Sequence, residues 1–585
     1  MIVPMRKIAV IIQHKDAQSA IEHLRHTGVL HIEHQRPPQS QDINILQDEA
    51  GLINACLEIF NQADCPMASV SAKAEIGDWK AKAKHIVDLW KRYGYLDDFS
   101  KTLEHQISEW QKWGDFQPQK LQELSQKGVY VRFYQVPTRQ LKDFPQGVIV
   151  EQVFAAGGIA YCVVISTSKL KFPFKEVTSP KLSLSEMLAK LSEDKKTMEA
   201  IRSEICLAAG YSPELSEIKK NLGRKIEFQQ ALAGMGESRV VSYLTGYIPR
   251  ECEGKILEEA KIKKWGVLIN DPQEDDNVPV LLRNPAWVSL INPLYKLMEV
   301  VPGYRELDVS PIFLIFMALF FGMIIGDAGY GAIYFTLTFL AYRKYRNKVK
   351  EKNVFFLFYL FSFCAIIWGI LTGTVFGQQW YAASGFKALT PALNNTKFLM
   401  AFCFFLGAVQ LSLAHGWQAL SKLPSLTALA DIGFICLLWV GFFLAKMFIL
   451  GDLFPAIGQW LVYAGVVLIV FFISPRKNFL ASIGSGLGAL ALGAMGNFGD
   501  VVSYIRLFAV GLAGVAVADS VNLLAASAGN NIIAKALILF AGHSINIILG
   551  PISVLVHGVR LNVLEFSLLH GNVTWSGLSY KPLKE

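Results

Sequence analysis

Acid is what the second half of this chain lacks. Of 48 Asp and Glu in 585 residues, only eight fall in residues 311–585: Asp327, Glu351, Asp431, Asp452, Asp500, Asp519, Glu565 and Glu585. The first 310 residues hold the rest at ordinary soluble density, so composition alone sets a boundary near residue 310. A hydrophobic content of 52% with a mean hydropathy of +0.33 is too apolar for a wholly soluble protein, and the length is too great for one domain.

Other absences exclude other classes. The eight cysteines show no CxxC and no regular spacing, which argues against a disulfide framework or zinc site and suits a reduced compartment. No GxxxxGK[ST] occurs, so no P-loop nucleotide site is expected. The glycine-rich GSGLGALALGAMGNFG (484–499) lacks GxGxxG spacing and lies in an apolar run; close helix packing is its reading. The only apolar run at the N-terminus is KIAVII, too short for a signal-peptide core, which places the soluble half in the cytoplasm. The net charge of +8 sits in loops flanking apolar runs and is not a nucleic-acid footprint.

Within the soluble half, KIAVIIQH, KDAQSAIEHLRHTG and VLHIEH read as strand, helix ending at Gly28, and strand. Histidines 14, 23, 26, 31 and 34 cluster here without a cysteine or a closing carboxylate pattern, so surface histidines are favoured over a metal site. Residues 41–62, 79–126 and 183–235 are polar and helix-favouring. GVYVRFYQVP and GVIVEQVF–AAGG–IAYCVVIS read as strands, with a hairpin at Gly157–Gly158. The pattern is an α/β lobe, a long helical leg out, a second lobe, a leg back and a return to the first lobe. Such antiparallel helices make an arm rather than a pocket.

Apolar runs follow at 311–342, 354–377, 397–421, 427–449, 456–474, 486–528 and 532–569, against the roughly twenty helical residues that a bilayer core needs. RKYRNKVKEK (343–352) carries six Lys or Arg and should stay cytoplasmic. Two spans must then precede it, with a break near Gly326-Asp327-Ala328-Gly329. The count becomes eight, with SKLP (421–424), PRKN (475–478) and YKPLKE also inside. Loops 378–396, 450–455 and 529–531 fall outside. The 486–528 run would extend roughly 64 Å as one helix, which implies tilt, breaks or protrusion, and Pro551 should bend the last segment.

In NFGDVVSYIRLFAVGLAGVAV (497–517), Arg506 sits mid-run with about ten residues of helix on each side. A guanidinium at bilayer depth costs roughly 3 to 15 kcal/mol. Helical periodicity places Gly499, Ser503, Arg506, Val510, Ala513 and Val517 on one narrow stripe that another helix could approach. A structural arginine bonded to carbonyls is the plain alternative. A second arginine in the last run, Arg560, favours a charged pathway.

SYIRLFAVGLAG followed by VHGVRLNVLEFS resembles the ion-translocating membrane stator subunit of rotary V/A-type ATPases, subunit a or subunit I. LRHTGVLHIE, TGYIP, GDAGYG, GTVFG and the linker PVLLRNPAWVSLINPLYKLMEVVPGYRELDVSP are also similar to family segments, though DVS stands where Asp-Pro-Thr is expected. The resemblance implies two cytoplasmic α/β lobes (1–275) joined by an antiparallel two-helix coiled coil. A linker (276–310), an all-α membrane domain of eight helices (311–569) and a cytoplasmic tail (570–585) follow. It implies a multi-pass prokaryotic plasma-membrane protein with both termini cytoplasmic, and a translocase subunit not itself catalytic for ATP. Expected partners are rotor ring subunits bearing a membrane carboxylate, peripheral stalk subunits, the central-stalk and ring assembly, and lipid. No cofactor, metal, nucleotide or nucleic acid is expected.

Ring carboxylates would pass Arg506, which lowers their pKa and drives release of a proton or sodium ion. From orientation, Asp500 and Glu565 should line the cytoplasmic half-channel. Asp519, Asn522, His543 and Asn546 should line the external one, with His557 near the arginine level. The family's eukaryotic histidine, second acid and upstream amide are replaced by Gly514, Leu492 and Gly496. Two rival readings are a self-contained secondary transporter, disfavoured by the lack of an internal repeat, and a membrane scaffold, which leaves the arginines without a reason.

Overall fold

The computed structural model describes residues 1–63, 77–145, 147–169, 171–238, 240–349, 351–377, 388–474 and 479–584. The PRKN segment (475–478) and part of the expected external loop (378–387) lie outside the described residues. The chain folds as two units, residues 11–28, 33–244 and 583–585 in one and 1–10, 29–32 and 245–582 in the other.

In the first unit, the Ala17–Thr27 helix ends on Gly28, whose φ of +62° is left-handed and favours a residue without Cβ. Two helix pairs follow. Gln41–Gln62 packs on Ser212–Ala233, and Trp79–Trp110 packs on Leu184–Ala208, around Ile53, Phe60, Ile86, Ile201, Ile205 and Leu222. Ser183 starts the return leg with a reciprocal capping box to Glu186. The helical stretch 79–126 is not one helix. It stops at Trp110, turns through Gly114 at φ +80°, and resumes at Pro118, a residue suited to a helix's first turn. Trp110 and Trp113 leave the helical line to pack on Phe133 and Tyr161. Beyond lies an antiparallel sheet in the order Ile149–Ala156, Ile159–Ser166, Tyr130–Pro137, Lys175–Val177, with Gly157 and Gly158 at positive φ in the hairpin turn. Six thiols, Cys56, Cys162, Cys252, Cys364, Cys403 and Cys436, are free, whereas Cys206 is disulfide-bonded.

A further sheet has the strand order His31–Glu33, Val241–Pro249, Met5–Gln13, Gly266–Asn270. The larger part of the second unit is helical. Ser310–Ile325 is apolar on every side and correspondingly buried, with Phe313, Met317 and Phe320 at the centre of the core. It stops at Gly326, φ +65°. Asp327 then caps Ala328–Tyr345 by accepting from Gly329 N at 2.7 Å and Tyr330 N at 3.1 Å. Asn353–Thr372 packs so closely on that cap that a methyl on Gly369 would fall 2.0 Å from Ala328 N.

Among the described residues, five helices are long and apolar enough to cross a membrane: Asn353–Thr372, Thr396–Lys422, Ala428–Leu450, Ser482–Ser527 and Ile532–His570. Ser310–Ile325 and Ala456–Phe472 are shorter apolar helices. In the glycine-rich stretch, methyls on Gly486 and Gly493 would clash with Val470 and Phe434, so the small residues allow close packing.

Candidate functional site

The 486–528 run is interrupted at its arginine. One helix, Phe479–Ser503, ends and another, Ile505–Ser527, begins around Tyr504, where Tyr504 N bonds Val501 O and Leu507 N bonds Tyr504 O in tight three-residue turns. The cause is the tyrosine. Its ring is fully buried against Gly407, where even a methyl would lie 2.7 Å from it, and its hydroxyl donates to Gln410 Oε1 at 2.8 Å. Gln410 Nε2 in turn donates to Asn562 Oδ1 at 2.9 Å, so three buried polar groups satisfy one another. Arg506 therefore sits just past a local tightening of the 482–527 run, at a point where the Tyr504 backbone stays right-handed helical (φ −69°, ψ −11°). Its Nε donates to Ser503 O at 2.8 Å, a carbonyl freed by the interruption.

The last helix brings the counter-ion. Pro551 lies inside Ile532–Ser553 and has no N–H, so the carbonyl of Ile547 loses its helical donor; Tyr334 Oη donates to it instead at 2.6 Å. Past the proline the helix loosens into π-helical turns at Val554–Gly558 and Leu561–His570. In that i→i+5 winding, residues five apart stack, which α-helical spacing would not allow. Arg560, Glu565 and His570 are five apart. Glu565 Oε1 pairs with Arg506 Nη2 and lies 3.6 Å from Arg560 Nε. The Glu565 side chain is 6% exposed and its Oε2 has no partner, whereas Arg560 is 58% exposed. Glu565 thus stands at the level of the arginines rather than remote from them.

The last helix also contributes to a separate polar chain. His570 Nε2 is 2.9 Å from Asp500 Oδ2, and His570 Nδ1 is 3.0 Å from His415 Nε2. His415 Nδ1 lies 3.7 Å from Asp431 Oδ1, too far for a hydrogen bond, and is otherwise without a partner. Asp431 accepts from Lys422 Nζ at 2.8 and 3.0 Å. These groups line a cavity of about 390 Å³ with Asn497, whose Nδ2 is also buried and unpaired. That is polar and roomy enough for several waters.

A second cluster lies towards the other end of the Ile505–Ser527 helix. Tyr330 Oη is 2.7 Å from His543 Nδ1 and accepts from Asn546 Nδ2 at 3.1 Å. Asn546 also donates to Gly514 O at 2.9 Å, so the position without a side chain is served by a neighbouring amide. His543 Nε2 is 3.2 Å from Asn522 Oδ1, and Asn522 donates to Phe376 O at 2.6 Å. Asp519 abuts Gly377, where a methyl would lie 2.3 Å from its Oδ1; Asp327 Oδ2 accepts from Gly377 N at 2.9 Å.

Of the residues singled out from sequence, Arg506, Arg560 and Glu565 meet in one cluster. Asp500 joins the first chain, and Asp519, Asn522, His543 and Asn546 gather in the second. His557 is half-buried and joins neither among the described residues. Sequence reasoning missed His415, His570, Asp431, Gln410 and Tyr330. A signal was present for three of them, since His415, His570 and Asp431 are titratable groups within or at the ends of apolar runs. No group of three metal-ligating side chains occurs among the described residues. His14 Nδ1 is 2.9 Å from Ser242 Oγ, and His31 Nδ1 accepts from Lys581 N at 3.0 Å.

Comparison with known proteins agrees in one direction. No family model matches the chain. V-type ATP synthase subunit I of Borreliella burgdorferi is 30% identical over 611 aligned residues that cover all of both chains. V-type ATP synthase subunit I 1 of Treponema pallidum is 27% identical, again over all of both. A-type ATP synthase subunit I of Methanocaldococcus jannaschii is 27% identical over 69% of this chain and 65% of its own. The crystal structure of the cytoplasmic N-terminal domain of subunit I, homolog of subunit a, of V-ATPase aligns with 45% of this chain and all of its own at 18% identity. Its TM-score of 0.23 gives it no weight for the fold. With full-length coverage at 30% identity, this chain belongs to the V-type ATP synthase subunit I family, as a multi-pass membrane subunit of a rotary ATPase.

Proposed function

We propose that this chain is the ion-translocating stator subunit of its complex, presenting Arg506 to carboxylates on a rotating ring of partner subunits. The observation that carries this is the arrangement around Arg506. A guanidinium in an apolar helix is paired to a glutamate from the last helix, and separate polar chains lie on its two sides. Intramembrane charge of this kind is expensive and is kept for function. The positive charge of Arg506 attracts a ring carboxylate, favours its ionised form and so drives ion release.

The Asp500–His570–His415–Asp431 chain serves as the cytoplasmic half-channel, and the Tyr330–His543–Asn546–Asn522 cluster with Asp519 as the external one. Eight spans with both termini in the cytoplasm fit the loop charges. The helix pairs of residues 41–110 and 184–233 form the antiparallel coiled-coil arm that braces peripheral stalks. The test is ATP-driven ion uptake by the complex in sealed vesicles. Arg506→Ala should abolish pumping while the membrane complex stays assembled, and Arg506→Lys should largely fail, since an ammonium lacks the planar fork. Near-normal pumping by the alanine variant refutes the reading. A scaffold that moves no ions would be indifferent to both substitutions.

A further inference from the structure

We propose that Glu565 is a positioning residue that sets the charge of the arginine cluster to accept one ring carboxylate at a time. The proposal rests on the stator reading above. Arg506, Arg560 and Glu565 lie within one ion-paired group, and two guanidiniums against one carboxylate leave a net charge of +1. A +1 site is complementary to a single carboxylate. Without Glu565 the site would carry +2, and in partly desolvated surroundings an extra unit charge acts strongly on an approaching anion.

The donors are apportioned to match. Arg506 commits Nε to Ser503 O and Nη2 to Glu565, and among the described residues its Nη1 has no hydrogen-bond partner. Arg560, the more exposed of the two, touches the same glutamate oxygen from the other side at 3.6 Å. Glu565 therefore holds Arg506 in place between arrivals and competes with the arriving carboxylate for it. A carboxylate that is held too tightly cannot leave, and departure is half of each transport step. Among the described residues the buried Oε2 of Glu565 has no hydrogen-bond partner, so the carboxylate is not fully committed to Arg506.

The experiment uses the intact complex in sealed vesicles and reads ion uptake together with ATP turnover. Glu565→Gln keeps shape and removes charge. It should slow turnover by about tenfold or more, since an unbalanced unit charge at contact distance acts more strongly in these partly desolvated surroundings than in bulk water, with the ratio of ions to ATP unchanged. The double variant Arg560→Gln/Glu565→Gln restores +1 and should recover most of the rate. Full turnover in the single variant overturns the proposal, as does a double variant no faster than the single. So does a single-variant defect that vanishes when the transported ion is raised on the cytoplasmic side, because that is the behaviour of a channel-lining acid. Should the single variant fail to assemble, the double decides alone: pumping supports the proposal and its absence overturns it. The Arg506→Ala control separates the two readings. If that variant pumps, the stator function itself fails. If it is dead while the Glu565 variants are normal, only the charge-balance inference fails.

Discussion

At the scale of single residues, the chemistry was legible wherever a charge is rare. Arg506, Arg560, Asp500 and Glu565 stand out because so few acids occur beyond residue 310, and three of the four come together in space. Their partners were not legible. His415 and His570 are 155 positions apart and meet only through tertiary packing; a lone histidine in an apolar run gives no hint of which residue it faces. Both ring nitrogens of His570 are engaged, by Asp500 and His415, so the ring bridges the two. His570→Gln can span the same gap with a hydrogen bond but cannot titrate. It should cut ATP-driven uptake by on the order of a hundredfold if a proton passes through it, the usual scale for loss of an acid–base group. Added imidazole should restore part of the rate. Full activity in the glutamine variant would show that the ring only packs.

Elements were legible where period and caps agree, and illegible where a side chain far away decides the backbone. Gly28 closing a helix, the hairpin at Gly157–Gly158 and the Gly326–Asp327 break can each be read from local residue types, because glycine's freedom at positive φ and aspartate's capping act within a few positions. The interruption at Tyr504 cannot. Nothing in SYIRLF disfavours a helix; the break follows from burying a tyrosine hydroxyl on Gln410, 94 positions away. The π-helical turns after Pro551 are likewise hidden, although the proline marks the place. Asp327 offers a measurable case. Asp327→Ala removes the cap of Ala328–Tyr345, costing about 0.5–2 kcal/mol. It also strips the acceptor from the buried Gly377 N–H, worth about 1–3 kcal/mol more. Thermal unfolding of the purified chain in detergent should show a lowered midpoint. Asp327→Asn keeps the capping oxygen but turns its amide N–H towards Gly377 N, so it should recover the capping part of the loss and not the Gly377 part. Equal losses would mean that the contact to Gly377, not the cap, holds the turn.

For the whole molecule, the sequence pattern argued for orientation through loop charge, and the structure adds two polar networks whose sides that orientation assigns. If RKYRNKVKEK and the C-terminal tail are cytoplasmic, the helix carrying Arg506 runs outward. Asp500, six residues before it and roughly 9 Å along the axis, then faces the cytoplasmic half of the membrane with Asn497, His570 and the cavity they line. Asp519, Asn522 and Asn546 face the external half together with Tyr330 and His543. An offset pair of half-channels needs this separation, because a continuous polar path past Arg506 would leak ions without rotation. Single cysteines at 497, 500, 519 and 546, placed in a chain whose native thiols have been removed, test it with a membrane-impermeant, water-requiring reagent. Positions 497 and 500 should react from the cytoplasmic face and 519 and 546 from the outside, with little reaction across. Exchanged sidedness would overturn the orientation and with it the eight-span count. Reaction of all four positions from one face would leave the orientation standing but merge the two networks into one path, and the offset mechanism would then have no structural basis.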